Sequence, residues 1–117
     1  MNSNNKGKRG EQELANKLKT FGYDTRRGQQ YCGINGDADV IGLPGIHIEC
    51  KRVNKLNVQD AMEQSIRDAS YGEKPTVMHR RDRKDWLVTM TLEDWMDLFQ
   101  AWEKDNERTY KAAQIDS

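Results

Sequence analysis

No long apolar run exists in this sequence. None of its 117 residues sit in a stretch approaching the roughly 20 that span a bilayer. The opening Met1-Asn2-Ser3-Asn4-Asn5-Lys6 also lacks the apolar core of a secretory signal. The expectation is a soluble, cytoplasmic protein. Cysteine is scarce, with only Cys32 and Cys50. Two cysteines without a secretory signal are read as reduced thiols rather than a disulfide. His47 and His79 would bring the soft-ligand count to four, but no pair has finger-like spacing, and His47 and Cys50 fall on opposite faces of one strand. Zinc is therefore disfavoured. No Ser-His or Cys-His arrangement stands at usable spacing, so nothing indicates a covalent nucleophile.

Net charge is also missing, since 19 basic residues balance 19 acidic ones. The balance is local rather than uniform. Residues 1–90 hold 16 basic and 12 acidic side chains, whereas residues 91–117 hold 3 basic and 7 acidic. A basic body with an acidic end suits a nucleic-acid partner better than the overall pI of 6.7 suggests. A charged surface with an acidic final helix is the plainer explanation. With 32% charged residues and a mean hydropathy of -1.02, the chain is very polar, yet long enough for one modest core. The expected division is a loose segment over 1–8, one domain over 9–104, and a polar tail over 105–117.

The patterning predicts eight elements in the order α-β-β-β-α-β-β-α. A first helix runs from about Arg9 to Phe21 on an apolar stripe of Leu14, Ala15 and Leu18, and ends at Gly22. Strands follow over Tyr23–Arg27, Asp37–Gly42 and Ile46–Val53, the last two separated by the Leu43-Pro44-Gly45 turn. A second helix over Val58–Tyr71 carries Val58, Ala61, Met62, Ile66 and Ala69 at helical spacing. Two further strands, Thr76–Arg80 and Trp86–Thr89, flank the basic run Arg80-Arg81-Asp82-Arg83-Lys84. A third helix opens at Thr91 as N-cap and has a stripe of Leu92, Trp95, Met96, Phe99 and Trp102. Short loops make the first three strands an antiparallel meander. The second helix then allows a parallel crossover. The fold class is α/β, a mixed sheet flanked by helices.

The chemistry concentrates on two of these strands. In Ile46-His47-Ile48-Glu49-Cys50-Lys51 the period of two puts Ile46, Ile48 and Cys50 on one face. His47, Glu49 and Lys51 share the other, with His47 read as a supporting or surface residue. Asp39 lies inside the preceding strand, where acids are depleted. Asp37 lies at its mouth and reads as a turn residue. Glu11 is three residues before Leu14 and four before Ala15, so it shares the inward stripe of the first helix. An inward acid calls for a compensating cation, although the helix dipole alone also favours an acid at that end. Glu13, four before Lys17, is explained by an exposed ion pair.

The pattern Asp39 … Glu49-Cys50-Lys51 resembles the PD-(D/E)xK nuclease superfamily. The start Lys6-Gly7-x-x-x-Glu11-x-Glu13-Leu14 is similar to that of archaeal-type Holliday-junction resolvases and related phage nucleases. The resemblance covers roughly the first seventy residues, and Ala38 stands where the motif has proline. It implies a restriction-endonuclease-like αβββαβ core. It implies Glu11, Asp39 and Glu49 as metal-binding acids, with the Cys50 backbone carbonyl beside them as a further ligand. Lys51 becomes the catalytic lysine. The implied cofactor is Mg2+, with Mn2+ able to substitute. Such an ion helps activate water and neutralise the phosphate, while Lys51 orients the water and stabilises developing charge. The implied activity is cleavage of branched or duplex DNA in a bacterial or phage-infected host cell. A homodimer would supply the two symmetric cuts that a junction needs.

Grip on the substrate must come from basic residues elsewhere. The candidates for phosphate contact are Arg26 and Arg27, Arg52 and Lys55, and Arg80, Arg81, Arg83 and Lys84. The Gly28–Gly36 loop reads as a flap beside the site. Gln64 and Tyr71, off the apolar stripe of the second helix, face either nucleic acid or solvent.

Overall fold

In a computed structural model of the chain, the backbone is described for residues 3–29 and 38–116, and the side chains for residues 7–29 and 38–107. Eight elements follow in the expected order. They are α1 (Ser3–Lys19), β1 (Arg26–Arg27), β2 (Val40–Ile41), β3 (Ile46–Arg52), α2 (Val58–Asp68), β4 (Lys74–Arg80), β5 (Leu87–Met90) and α3 (Leu92–Asp116). The five strands form one sheet in the order β1-β2-β3-β4-β5. β1, β2 and β3 are antiparallel neighbours, β3 and β4 are parallel across the α2 crossover, and β5 returns antiparallel to β4. The mixed α/β sheet read from the sequence is the sheet observed.

The two faces of β3 fill different layers. Ile48 and Cys50 meet Leu14 and Ala15 of α1, with Val40 and Met78, in the main core. The other face is covered by α2, whose Ala61 and Met62 pack on Val77. Ser65 fastens that helix down. Its buried hydroxyl donates to the Thr76 carbonyl at 3.2 Å and accepts from the Thr76 amide at 3.0 Å. α2 starts where Asn57 caps it, accepting from the Asp60 amide at 3.1 Å. α3 starts at the expected Thr91 cap, whose hydroxyl accepts from the Asp94 amide at 3.2 Å.

Two glycines are required by close approach. A Cβ on Gly10 would lie 2.6 Å from Arg52 Cβ, so α1 rests directly on the end of β3. Gly42 turns after β2 at φ +121°, and a Cβ there would lie 2.5 Å from the Asp24 carbonyl oxygen. Gly10→Ala, ordinarily favourable within a helix, is here expected to lower stability by about 1–3 kcal/mol through overpacking. The midpoint of urea unfolding measures it, and a midpoint that rises would mean α1 does not rest on β3.

Several boundaries differ from the sequence reading. β1 and β2 are short, at Arg26–Arg27 and Val40–Ile41, so Asp39 precedes its strand instead of lying inside it. α1 begins at Ser3, so the 1–8 segment expected to be loose is helical from its third residue. Only the apolar stripe marked the start, and a polar first turn carries no such stripe. α3 continues to Asp116, through the 105–117 stretch expected to be a tail. Neither Gly nor Pro occurs there to stop it, and Lys111-Ala112-Ala113-Gln114 are strong helix formers. α2 ends at Asp68, and Tyr71 lies beyond it, fully exposed in a turn. The stripe of α3 is also not buried in its own domain. Trp95 and Phe99 stack at 5.4 Å and Phe99 meets Trp102 at 5.7 Å, but Leu92, Trp95 and Trp102 remain half or more exposed. Lys74 on β4 ties the helix to the sheet through Asp97 at 2.9 Å and Asp94 at 3.6 Å.

Candidate active site

The site forms where the start of β2 meets β3. Asp39 stands immediately before β2, its amide donating to the Ile48 carbonyl at 3.0 Å. Its Oδ2 accepts from the Cys50 amide at 2.9 Å, which brings the carboxylate alongside β3 between Glu49 and Lys51. Glu49 is 4% exposed. Burial is the main reason its carboxyl is pushed up to about 8. The charge of Asp39 and a hydrogen bond with it, together with the charge of Asp68, push the same way against Lys51. The Glu49 carboxyl therefore keeps its proton well above the ordinary carboxylate range. Lys51 Nζ lies 3.7 Å from Glu49 Oε1 and donates to Gln64 Oε1 at 3.3 Å.

Glu11 approaches from α1 with its side chain 15% exposed. Burial first, then the charge of Asp39, raises its carboxyl above the usual range, with Arg27 and Lys8 opposing. The structure therefore brings Glu11, Asp39, Glu49 and Lys51 into one electrostatic neighbourhood. Burial and the same acids push the Cys50 thiol far above its ordinary range, so it is inert. Among the described residues no three His, Cys, Asp or Glu side chains converge closely enough to enclose an ion as they stand. Mg2+ does not need such a cage, because one or two carboxylates with waters and substrate phosphate suffice. Asp39 and Glu49 are hard oxygen donors with a deficit of positive charge, which fits that ion.

Sequence reasoning missed Asp68 and left the places of Gln64 and His47 open between the site and the surface. Gln64 holds the lysine amine, and Asp68, four residues further along the same face of α2, adds negative charge beside Glu49. Of the two readings left open for His47 the surface one fails, because it is buried, with Nδ1 3.5 Å from Glu73 Oε1 and Nε2 without a hydrogen-bond partner among the described residues. The period of two on β3 and the 3.6 period on α2 carried part of this signal. The docking angle of the helix did not appear in either. Asp37, Cys32 and residues 30–36 of the expected flap lie outside the described residues. Gly28 donates to the Asp39 carbonyl at 2.9 Å.

The basic candidates divide into two groups. Arg27 Nε lies 3.9 Å from Glu11. Arg52 pairs with Glu13 at 3.2 Å and Asp82 at 2.8 Å, and Arg80 hydrogen-bonds Glu13 and the Lys84 carbonyl. Glu13 is thus bound to β3 and β4 rather than to Lys17. Arg26, Lys55, Arg81, Arg83 and Lys84 are exposed, and among the described residues no side-chain partner holds their charged heads. Arg83 adopts φ 62°, a left-handed conformation that is strained for arginine.

A family model described as a phage putative PDDEXK endonuclease matches residues 2–116 of the chain. The protein belongs to this phage PDDEXK endonuclease family. Membership and fold make it a nuclease. The fold also matches the solved structure of Hjc, a Holliday junction resolvase from the archaeal hyperthermophile Archaeoglobus fulgidus. That match has a TM-score of 0.54 at 24% identity, covering 73% of this chain and 72% of that one. No curated protein matches the chain. No described helix of this family member is long and apolar enough to cross a membrane.

Proposed function

We propose that the protein is a Mg2+-dependent endonuclease that hydrolyses phosphodiester bonds in branched DNA within the cytoplasm of a phage-infected cell. The observation that carries this reading is the buried Glu49 carboxyl beside Asp39 and 3.7 Å from Lys51, with Glu11 close enough to feel the charge of Asp39. Asp39 and Glu49 would hold the ion, with Glu11 and the Cys50 carbonyl as further oxygens, and Mn2+ would serve in its place. When bound, the ion supplies charge neutralisation at the phosphate and lowers the barrier to attack by water. Glu49 must surrender its proton to bind a cation, so metal affinity rises with pH. Gln64 and Glu49 fix the Lys51 amine, which then orients the attacking water and donates to the phosphate oxygen as charge develops. The exposed stripe of α3 supports a homodimer, which would set two sites in symmetric relation.

The test is incubation with Mg2+ and labelled four-way junction, flap, nicked duplex, duplex and single strand, with mapping of every cut. Paired symmetric nicks in the junction support a resolvase. Cuts confined to flaps or duplex would make it a different nuclease. Binding without any cleavage would leave an inactive DNA-binding module.

The division among the arginines gives a second test. Neutralising Arg81, Arg83 and Lys84 is expected to lower DNA affinity and reduce the salt slope by about one per lost phosphate contact. Arg80→Gln should instead lower stability with little change in slope, because its charge is spent on Glu13. Equal slope changes in both variants would refute the division.

A further inference from the structure

A cavity of about 610 Å³ opens between the end of β3, the start of α2 and the loop joining β4 to β5. Its volume falls within the roughly 300–1,000 Å³ typical of pockets that take small organic ligands. Leu56, Val58 and Leu87 contribute apolar surface, and Val58 and Leu87 remain substantially exposed. Arg81 and Lys84 bring cationic heads without side-chain partners among the described residues, and Asp85 is the one acid in the lining. His79 also lines it. It stands in register with Lys51 across the parallel β3–β4 pair, so one lining residue of the cavity is the strand neighbour of the candidate catalytic lysine.

We propose that this cavity receives one unpaired nucleotide of the substrate next to the cleaved phosphodiester, its base against Leu56, Val58, Leu87 and the His79 ring and its phosphate on Arg81 and Lys84. The inference rests on the nuclease reading above and adds a substrate class to it. A fully paired duplex presents only sugar and phosphate here, which would leave the three apolar side chains facing water and polar backbone. An unpaired base offers an apolar face to them, and imidazole and guanidinium planes are common stacking partners for extruded bases. Burial holds the His79 imidazole below its ordinary range, and Nε2 is hydrogen-bonded to Thr89 Oγ1 at 2.8 Å, which fixes the ring. Preference would then go to flaps, bulges or gaps, where an unpaired nucleotide adjoins the cut.

The test uses the full chain with Ca2+ in place of Mg2+, so that binding is read without cleavage. A photoreactive 4-thiothymidine is placed either in a one-nucleotide bulge or at a paired position in the same duplex. The bulged probe is expected to crosslink to peptides containing residues 53–58 or 85–88 about tenfold more than the paired probe, and Leu87→Ser should reduce that ratio several-fold. Equal yields from both probes, or crosslinks confined to other surfaces, would overturn the proposal. A cleavage assay with Mg2+ separates the two readings. Crosslinking without cleavage defeats the nuclease mechanism alone, and cleavage with the crosslink elsewhere defeats the cavity alone.

Discussion

Asp39→Asn is expected to lower Mg2+-dependent cleavage by on the order of 10³-fold, since several kcal/mol of charge stabilisation disappear and each 1.36 kcal/mol is tenfold in rate. The amide keeps an oxygen that can accept from the Cys50 amide, so the β2–β3 junction should survive. The metal-free variant is also expected to be more stable than the parent. Asp39 raises the carboxyls of both Glu49 and Glu11, and removing its charge relieves that repulsion. Single-turnover cleavage and thermal unfolding in EDTA, measured together, check the pair of effects. A variant that loses activity and stability together would point to a structural acid rather than a metal ligand.

The second large effect is on stability against pH. Glu49 moves from 4.5 in the unfolded chain to about 8 in the fold. A carboxyl whose folded value is raised keeps a proton that the unfolded chain has released. Stability therefore falls as pH rises between the two values and is flat with respect to this group outside them. Glu11 shifts in the same direction and adds to the decline. In EDTA the protein is expected to lose a few kcal/mol between about pH 5 and pH 8. Saturating Mg2+ should remove or reverse the decline, because it binds only the ionised acids of the folded state. Urea unfolding across that range, with and without the ion, measures both curves. Glu49→Gln should flatten the EDTA curve. An unaltered slope in that variant would remove Glu49 as its source.

These expectations rest on features that were unequally legible in the sequence. The order of elements was readable because β3 alternates strictly, the Leu43-Pro44-Gly45 turn punctuates it, and α2 keeps a clean apolar spacing. The same alternation correctly put Cys50 in the core and Glu49 opposite it. Periodicity says which residues share a face but not what that face meets. The stripe of α3 was visible, whereas its exposure was not. Glu13 looked satisfied by a residue four along its own helix, and in the fold it takes arginines 39 and 67 residues away. Gln64 and Asp68 reach the site only through the docking of α2 across β3 and β4, which no local pattern encodes.

The clasp between Glu13 and Arg80 has a consequence for the order of folding. It joins the first helix to the fourth strand across 67 residues, one of the longest closures in the domain. Loop-closure entropy must be overcome before such a contact rewards the chain. During synthesis α1 can settle on β2 and β3 once Arg52 has emerged, through Leu14, Ala15 and the Glu13–Arg52 pair, and the Arg80 contact closes later, after β4 has paired. Glu11 rides on that same helix. The acid site can thus come together from the first half of the chain, and the late clasp from β4 then fixes the helix that carries Glu11.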